Sequence, residues 1–117
     1  MGWEIAYYND AVQETIGAWP AGIRAYYARL TERMCVFGPN LGMPFTGNIG
    51  HNLFEIRAKG KEGIGRAFFC TKVEGTIVIL HAYIKKSPKT PQRELEVALR
   101  RLADIQRQRT GDRDEDS

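Results

Sequence analysis

The sequence lacks most of the residues that would support metal, disulfide or cofactor chemistry. It holds two cysteines, Cys35 and Cys70, and two histidines, His51 and His81, among 117 residues. Both cysteines lie within apolar segments, where a buried reduced thiol is the expected state. The four residues do not have the spacing of a zinc site. We therefore expect no disulfide, no bound metal and no cofactor.

The sequence also lacks a long apolar run. The longest lies around Ile77 to Leu80, far short of the ~20 residues that span a bilayer. No cationic segment leads into an apolar signal stretch. We expect a cytoplasmic protein without membrane contact, made of one domain over residues 1–109. Residues 110–117 (TGDRDEDS) have no apolar side chain to bury and are expected to form a disordered acidic tail.

Positive charge is concentrated in one part of the chain. Residues 1–56 contain three Arg/Lys against five Asp/Glu, residues 57–109 contain thirteen against five, and residues 110–117 contain one against four. A basic half between two more acidic parts indicates a surface whose positive charge is concentrated on one side. Nucleic acid is the first candidate partner for such a surface. Basic side chains that merely solvate the outer face of a sheet and a helix would produce the same pattern.

The first half of the chain predicts a strand followed by a helical hairpin. The segment Trp3–Tyr8 is short and rich in aromatic and β-branched residues, as a strand is. Asp10 is the predicted N-cap of a short helix ending near Trp19. A second helix begins at Pro20, repeats apolar residues at steps of three and four, and stops at Gly38-Pro39. Residues 38–52 are rich in glycine and predict a loop.

The second half predicts three strands and a last helix. The strands cover residues 53–59, 64–73 and 76–86, and their short glycine-containing turns require antiparallel neighbours. Thr90 as N-cap and Pro91 at the first position open the last helix. The predicted fold is α+β: an N-terminal strand, a helical hairpin, a three-stranded antiparallel meander and a C-terminal helix.

Strand alternation predicts which side chains share a face. In the first strand of the meander, Glu55, Arg57 and Lys59 lie opposite the apolar residues. In the last strand, one face is expected to carry Tyr83 and Lys85 together with Ile77, Ile79 and His81, and the other to carry Val78, Leu80, Ala82 and Ile84. Arg66 is expected on the face of Phe68 and Cys70. We expect the polar part of this sheet face to be an open basic groove.

Several segments of the second half resemble a known toxin family. They are LFEIR at 53–57, RAFF at 66–69, IVILHAYIKKSPKTP at 77–91 and ELEVALRRL at 94–102. Together they resemble the HigB branch of the RelE/ParE toxins, including its phage-derived group, over roughly residues 3–107. The resemblance implies a single RelE-like toxin domain from a type II toxin–antitoxin system. It also implies a ribosome-dependent, metal-independent endoribonuclease (mRNA interferase) that inhibits translation, with mRNA, the ribosome and a helix-turn-helix antitoxin as partners.

The resemblance also implies which residues act. Catalysis falls to Arg57, Lys59, Arg66, Tyr83 and Lys85, with the two arginines clamping the scissile phosphate by their guanidinium forks. Further RNA contacts are assigned to Lys72, Lys86, Lys89 and Arg93. Some HigB toxins use acidic, tyrosine and histidine residues near the C-terminal end, but here no histidine follows His81. His81 is therefore a candidate general acid, against the alternative of a hydrogen-bonded structural residue, and the acid and base stay open.

Two other functions are compatible with the sequence. A ParE-like inhibitor would bind a protein such as DNA gyrase and would need no concentrated cationic groove. A non-catalytic RNA-binding phage accessory protein would keep the groove without the chemistry. The cationic residues between Arg57 and Lys86 favour RNA over a protein target.

Overall fold

The computed structural model describes residues 2–86 and 88–116, with side chains up to residue 108. The elements in chain order are β1 (Glu4–Tyr7), α1 (Asp10–Gly17), α2 (Ala21–Phe37), β2 (Thr46–Gly50), β3 (Leu53–Gly60), β4 (Gly63–Lys72), β5 (Thr76–Lys85) and α3 (Gln92–Asp116). The predicted α+β class is confirmed: an N-terminal strand, two helices, antiparallel strands and a C-terminal helix.

The strands form one five-stranded sheet in the order β1-β5-β4-β3-β2. β1 runs parallel to β5, and the other neighbouring pairs are antiparallel. The prediction of a continuous loop over residues 38–52 is wrong, because β2 pairs with β3 inside that range. Its sequence, TGNIG, has no alternating apolar pattern. Main-chain pairing at the sheet edge makes it a strand, and the predicted three-stranded meander has a fourth strand.

The two faces of the sheet are covered by different helices. α1 and α2 pack on one face, where the buried side chains include Ile23, Tyr27, Leu30, Met34, Ile56, Phe69, Ile77 and Ile79. α3 packs on the other face, where Ala98 and Leu102 meet Leu53, Phe68, Cys70, Val78 and Leu80. Most apolar positions at helical spacing in the sequence are therefore core contacts, as the pattern predicts, but Phe37 at the end of the predicted apolar stripe of α2 is exposed.

α2 begins very close to the sheet at Gly65. A Cβ atom placed on Gly65 would lie 2.7 Å from the Trp19 ring and 2.7 Å from the Ile23 side chain. Real side chains do not tolerate such distances, so the close approach of the hairpin to β4 depends on this glycine. Trp19 and Ile23 are both buried at this contact.

Two predicted helix caps are wrong. Asn9, and not Asp10, caps α1, because the Asn9 Oδ1 atom accepts a hydrogen bond from the Val12 N–H at 3.0 Å. α3 begins at Gln92 and the Leu95 N–H donates to the Pro91 carbonyl, so Pro91, and not Thr90, directly precedes the helix. The Thr90 hydroxyl accepts a hydrogen bond from Arg66 and joins the loop before α3 to the sheet. The end of α2 is as predicted, with Gly38 at a φ of 99° that favours glycine.

A bulge in β5 overturns the predicted alternation of that strand. Phe68 pairs with His81 and Phe69 pairs with Ile79, which leaves Leu80 as the extra residue. As a result Val78 and Leu80 face α3, whereas Ile77, Ile79, Ala82 and Ile84 pack on the hairpin side. The Leu80 carbonyl accepts a hydrogen bond from Arg101 Nη1 of α3 at 2.7 Å.

The backbone of α3 is described to Asp116, past the domain boundary expected at residue 109. Side chains from 109 onward and residue 117 lie outside the described part of the chain, and the acidic tail stays a prediction. No helix in the described ranges is long and apolar enough to cross a bilayer.

Candidate active site

Three residues of the predicted site lie in one row across the sheet. Arg57 of β3 pairs directly with Arg66 of β4, and Arg66 pairs directly with Tyr83 of β5. All three side chains project from the face that α3 partly covers. Alternation in β3 and β4 correctly predicts this placement for the two arginines. Tyr83 also lies on the expected side, although the bulge changes the residues beside it.

A buried carboxylate joins the two arginines. Glu55 Oε1 accepts hydrogen bonds from Arg57 Nε at 2.6 Å and from Arg66 Nη2 at 3.1 Å. Glu55 Oε2 lies 2.7 Å from Arg66 Nε, an ion-pair contact whose angle falls outside hydrogen-bond geometry. Arg66 Nη1 donates to the Tyr83 hydroxyl oxygen at 3.0 Å and also to the Thr90 hydroxyl. We call Glu55, Arg57, Arg66, Tyr83 and Thr90 the arginine cluster.

The two arginines differ sharply in exposure. The Arg57 side chain is 33% exposed, whereas those of Arg66 and Glu55 are only 5% and 4% exposed. The expectation that both arginines stand in a solvated groove is therefore wrong for Arg66. Its guanidinium is enclosed by Glu55 and Tyr83 on the sheet and by Thr90 from the loop before α3. This geometry suits Arg66 to holding its neighbours in place from inside the protein, and Arg57 to contacting a ligand at the surface.

The Arg66 guanidinium is stabilised in its charged form. Burial alone lowers its pKa, but the hydrogen bond to Tyr83 and the negative charge of Glu55 more than offset that effect, so the pKa of Arg66 is raised above its ordinary value. Arg66 is a permanent cation at any physiological pH. The cluster consequently holds two guanidinium charges and one carboxylate.

Further cations surround the cluster. Lys59 and Lys85 lie two residues further along β3 and β5, each paired with Ile64 of β4 between them. Lys86 and Lys89 are exposed on the segment that leads from β5 into α3, and Arg93 is exposed in the first turn of α3. Thr90 in that segment contacts Arg66. We call Lys59, Lys85, Lys86, Lys89 and Arg93 the cationic rim. The fold thus brings together most of the basic residues singled out by the sequence.

Lys72 is the exception. It lies six residues from Arg66 along β4, about 20 Å at ~3.3 Å per residue, next to the β4–β5 turn. Its ammonium is 3.8 Å from Glu74. The fold does not bring Lys72 to the cluster.

His81 contacts α3 instead of the arginines. Its Nε2 atom lies 2.6 Å from Glu94 Oε1 of α3, and its ring stacks near Tyr83 at 6.2 Å between centroids. The imidazole is 18% exposed and borders a small cavity against α1, lined by Ala11, Val12, Thr15 and Arg101. His51 lies in the exposed β2–β3 turn with a φ of 58°, at the end of β3 far from Lys59.

Strand alternation correctly predicts that Glu55 lies on the same face as Arg57, because the pattern Glu-x-Arg places a carboxylate beside the guanidinium, but sequence reasoning gave Glu55 no role. It missed Thr90 and Glu94 as members of this region. The positions of Thr90 and Glu94 depend on how α3 crosses the sheet, which no local pattern indicates. Among the described residues, no group of three His, Cys, Asp or Glu side chains is arranged to hold a metal ion.

Comparison with protein families finds a match over most of the chain. The family described as "Phage derived protein Gp49-like (DUF891)" matches residues 14–103, which include the second half of α1, all of α2, the four antiparallel strands and the first part of α3. A comparison with curated proteins finds no match. The matched range contains the whole arginine cluster. The chain belongs to the Gp49-like family of phage-derived proteins, which lies within the RelE/HigB-type toxin group.

Proposed function

We propose that the protein is a HigB-like toxin of a type II toxin–antitoxin system, acting in the cytoplasm as a ribosome-dependent endoribonuclease that cleaves mRNA and stops translation. The observation that carries this proposal is the row Arg57–Arg66–Tyr83, with a buried carboxylate behind it and the cationic rim around it. Membership in a family related to RelE-type toxin nucleases supports it further. The proposed partners are mRNA, the ribosome and a helix-turn-helix antitoxin.

Arg57 is the proposed phosphate ligand. In the described hydrogen bonds its guanidinium uses only the Nε atom, toward Glu55, so the two Nη groups remain for phosphate oxygens. A guanidinium fork fits two such oxygens at once. The rim lysines add positive charge where the phosphorane transition state gains negative charge.

Tyr83 is the proposed general acid. Its hydroxyl oxygen accepts from Arg66, which leaves the hydroxyl hydrogen for donation to another group. The ribose 2′-OH attacks the adjacent phosphorus and gives its proton to water, and the P–O5′ bond breaks as Tyr83 protonates the leaving 5′-oxygen. The products are a 2′,3′-cyclic phosphate and a 5′-hydroxyl. The contact of His81 with Glu94 favours an anchoring role for this histidine.

A protein-binding inhibitor of the ParE type is the second candidate, and one observation favours it. Val36 and Phe37 at the end of α2 are 70% and 73% exposed, and exposed apolar side chains of this size suit a protein partner. These two residues lie at the opposite end of the sheet from the cationic rim. The Trp3 N–H donates to the Cys35 carbonyl and the Glu4 N–H donates to the Gly75 carbonyl, so the end of α2 lies near the β4–β5 turn.

Expression without an antitoxin, followed by pulse labelling, tests the proposal. Methionine incorporation should fall first, while thymidine incorporation continues. Purified protein added to translating ribosomes should then cut the mRNA at discrete positions, whereas Arg57→Gln protein should cut at the same positions far more slowly. Arrest of DNA synthesis with normal methionine incorporation would overturn the proposal in favour of the protein-binding inhibitor.

A further inference from the structure

We propose that Glu55 is a positioning residue of this site: it orients the Arg57 guanidinium so that the Nη groups of Arg57 face the substrate phosphate. This inference rests on the proposed function for its catalytic consequence. Its structural part, the orientation of Arg57 by Glu55, is independent of that function.

Both carboxylate oxygens of Glu55 are engaged. Oε1 contacts Arg57 Nε at 2.6 Å and Arg66 Nη2 at 3.1 Å, and Oε2 lies 2.7 Å from Arg66 Nε. The Glu55 side chain is almost fully buried, so water is not on hand to replace either arginine. Charge-assisted hydrogen bonds of this length are among the stronger ones in proteins. Glu55 therefore holds both guanidiniums in position.

The contact selects one edge of the Arg57 guanidinium. Because the group is planar and Glu55 binds it at Nε, the plane and the direction of the two Nη groups are constrained. The Arg57 side chain, a third exposed, would otherwise sample several rotamers, and phosphate binding would have to order it at an entropic cost. Pre-orientation of Arg57 reduces that cost in the transition state.

Glu55 also allows the two arginines to be neighbours. Arg57 and Arg66 are a directly opposed pair in the β3–β4 ladder, where like charges destabilise a sheet. A carboxylate bound to both offsets their repulsion. Arg66, held by Glu55, Tyr83 and Thr90, in turn fixes the carboxylate from the interior side.

A double-mutant cycle distinguishes positioning from simple support of the fold. In wild-type protein, Glu55→Gln should lower the single-turnover cleavage rate on programmed ribosomes by about 10- to 100-fold and change KM less than threefold, because the lost orientation acts in the transition state. In an Arg57→Gln background the same substitution should cost less than threefold, since its target is gone. Glu96→Gln, at an exposed position of α3, is the matched control and should leave the rate unchanged.

Equal losses in both backgrounds would overturn the proposal, and so would an unchanged rate in folded Glu55→Gln protein. If Glu55→Gln does not fold, Glu55→Asp replaces it in the same cycle, because it keeps a charge beside Arg66 and withdraws the carboxylate from Arg57 by one methylene. Equal losses in both backgrounds, or an unchanged rate in folded Glu55→Asp protein, would then overturn the proposal.

A second measurement does not require activity. In ¹⁵N spectra, the Arg57 Nε–H of the wild type should exchange slowly with solvent, and in the Glu55 variant at least tenfold faster. If wild-type protein fails to cleave mRNA but shows this protection, the proposed function fails and the orientation of Arg57 by Glu55 stands. Fast exchange in the wild type would overturn the orientation itself, whatever the activity.

Discussion

Arg66 donates from Nη1 to the hydroxyl oxygen of Tyr83 at 3.0 Å, across directly paired positions of β4 and β5. The bond fixes the direction of both groups: the tyrosine oxygen is the acceptor, and its hydrogen is left for another partner. Because the Arg66 guanidinium is enclosed, it supports Tyr83 and Glu55 from inside the protein. Arg57, across the same row, is the arginine that reaches solvent.

We predict that Arg66→Ala destabilises the protein by about 3–5 kcal/mol, because it leaves the buried Glu55 carboxylate without its main partner. Urea unfolding followed by circular dichroism measures the loss. Arg57→Ala is the matched control and should cost less than about 1 kcal/mol, since that side chain is a third exposed and Glu55 keeps Arg66. Equal losses for the two variants would contradict the different roles assigned to them.

We predict that Gly65→Ala destabilises the fold by about 1–3 kcal/mol, the usual cost of overpacking a dense core. Its added methyl group would lie 2.7 Å from both the Trp19 ring and the Ile23 side chain, which would push the start of α2 away from β4. Gly17→Ala is the control, because no atom lies within 4 Å of a Cβ placed there. The midpoint of thermal unfolding should fall for the first variant only, and a drop for both would point to a cause other than the close contact.

Much of this arrangement follows from the sequence because it depends on local periodicity. Alternation in β3 correctly separates Ile56 and Ala58 from Glu55 and Arg57, and helical spacing predicts the buried face of α2. The bulge at Leu80 does not follow, since an apolar run such as IVIL has no alternation that would reveal an extra residue. The strand β2 is missed for a similar reason: pairing with β3 determines its conformation.

The burial of Arg66 could not be predicted from the sequence either. A strand residue followed by aromatic side chains can face solvent or a covering element, and only the path of the chain from β5 into α3 decides. That path brings Thr90 onto the guanidinium. Composition and spacing therefore predict which residues form the site, whereas their division into buried and outward cations depends on tertiary packing.

We predict that the protein loses stability above pH 10 partly through Tyr27. Burial raises the pKa of this phenol, and the nearby Tyr7 hydroxyl, 3.0 Å away, adds to the effect. Above the ordinary value of 10.0 the unfolded chain loses the Tyr27 proton while the folded chain keeps it, so stability falls as pH rises. At pH 11 the contribution is about 1.4 kcal/mol.

Urea unfolding of Tyr27→Phe protein between pH 8 and pH 11 tests this prediction. The variant should lose about 1.4 kcal/mol less than the wild type over that range. Tyr26→Phe, which changes a half-buried ring on the same helix, serves as the control and should follow the wild type. A Tyr27→Phe curve parallel to the wild type would contradict the assignment.

We predict that the cationic rim, and not Lys72, carries the salt dependence of RNA binding. Each phosphate contact contributes about 0.7 to the slope of log K against log salt for single strands, so Lys59→Gln and Lys85→Gln should each reduce the slope by about that amount. Lys72→Gln should leave it unchanged, because that lysine lies at the far end of β4 beside Glu74. Titration of a 2′-O-methyl RNA, which cannot be cleaved, measures the slopes. An equal change for Lys72→Gln would extend the RNA path along the whole of β4.

We predict that Tyr83→Phe lowers cleavage by about 10²- to 10⁴-fold, the usual contribution of a general acid, while the fold is kept. The ring retains its stacking on Phe68 at 5.9 Å, and Arg66 Nη1 retains its bond to Thr90. An RNA whose scissile 5′-oxygen is replaced by sulfur has a leaving group that needs no proton, so this substrate should restore most of the rate to Tyr83→Phe. The same substrate should not restore the cleavage rate of Arg57→Gln, in which the phosphate ligand is missing. His81→Gln is the second control and should cleave both substrates within about tenfold of the wild type, because that imidazole is bound to Glu94.

End-labelled fragments should carry a 2′,3′-cyclic phosphate and a 5′-hydroxyl, and chelation of divalent ions should not slow the cut once ribosome integrity is controlled. A 5′-phosphate product would mean that water attacks the phosphorus, and the roles proposed for Arg57 and Tyr83 would then have to be withdrawn.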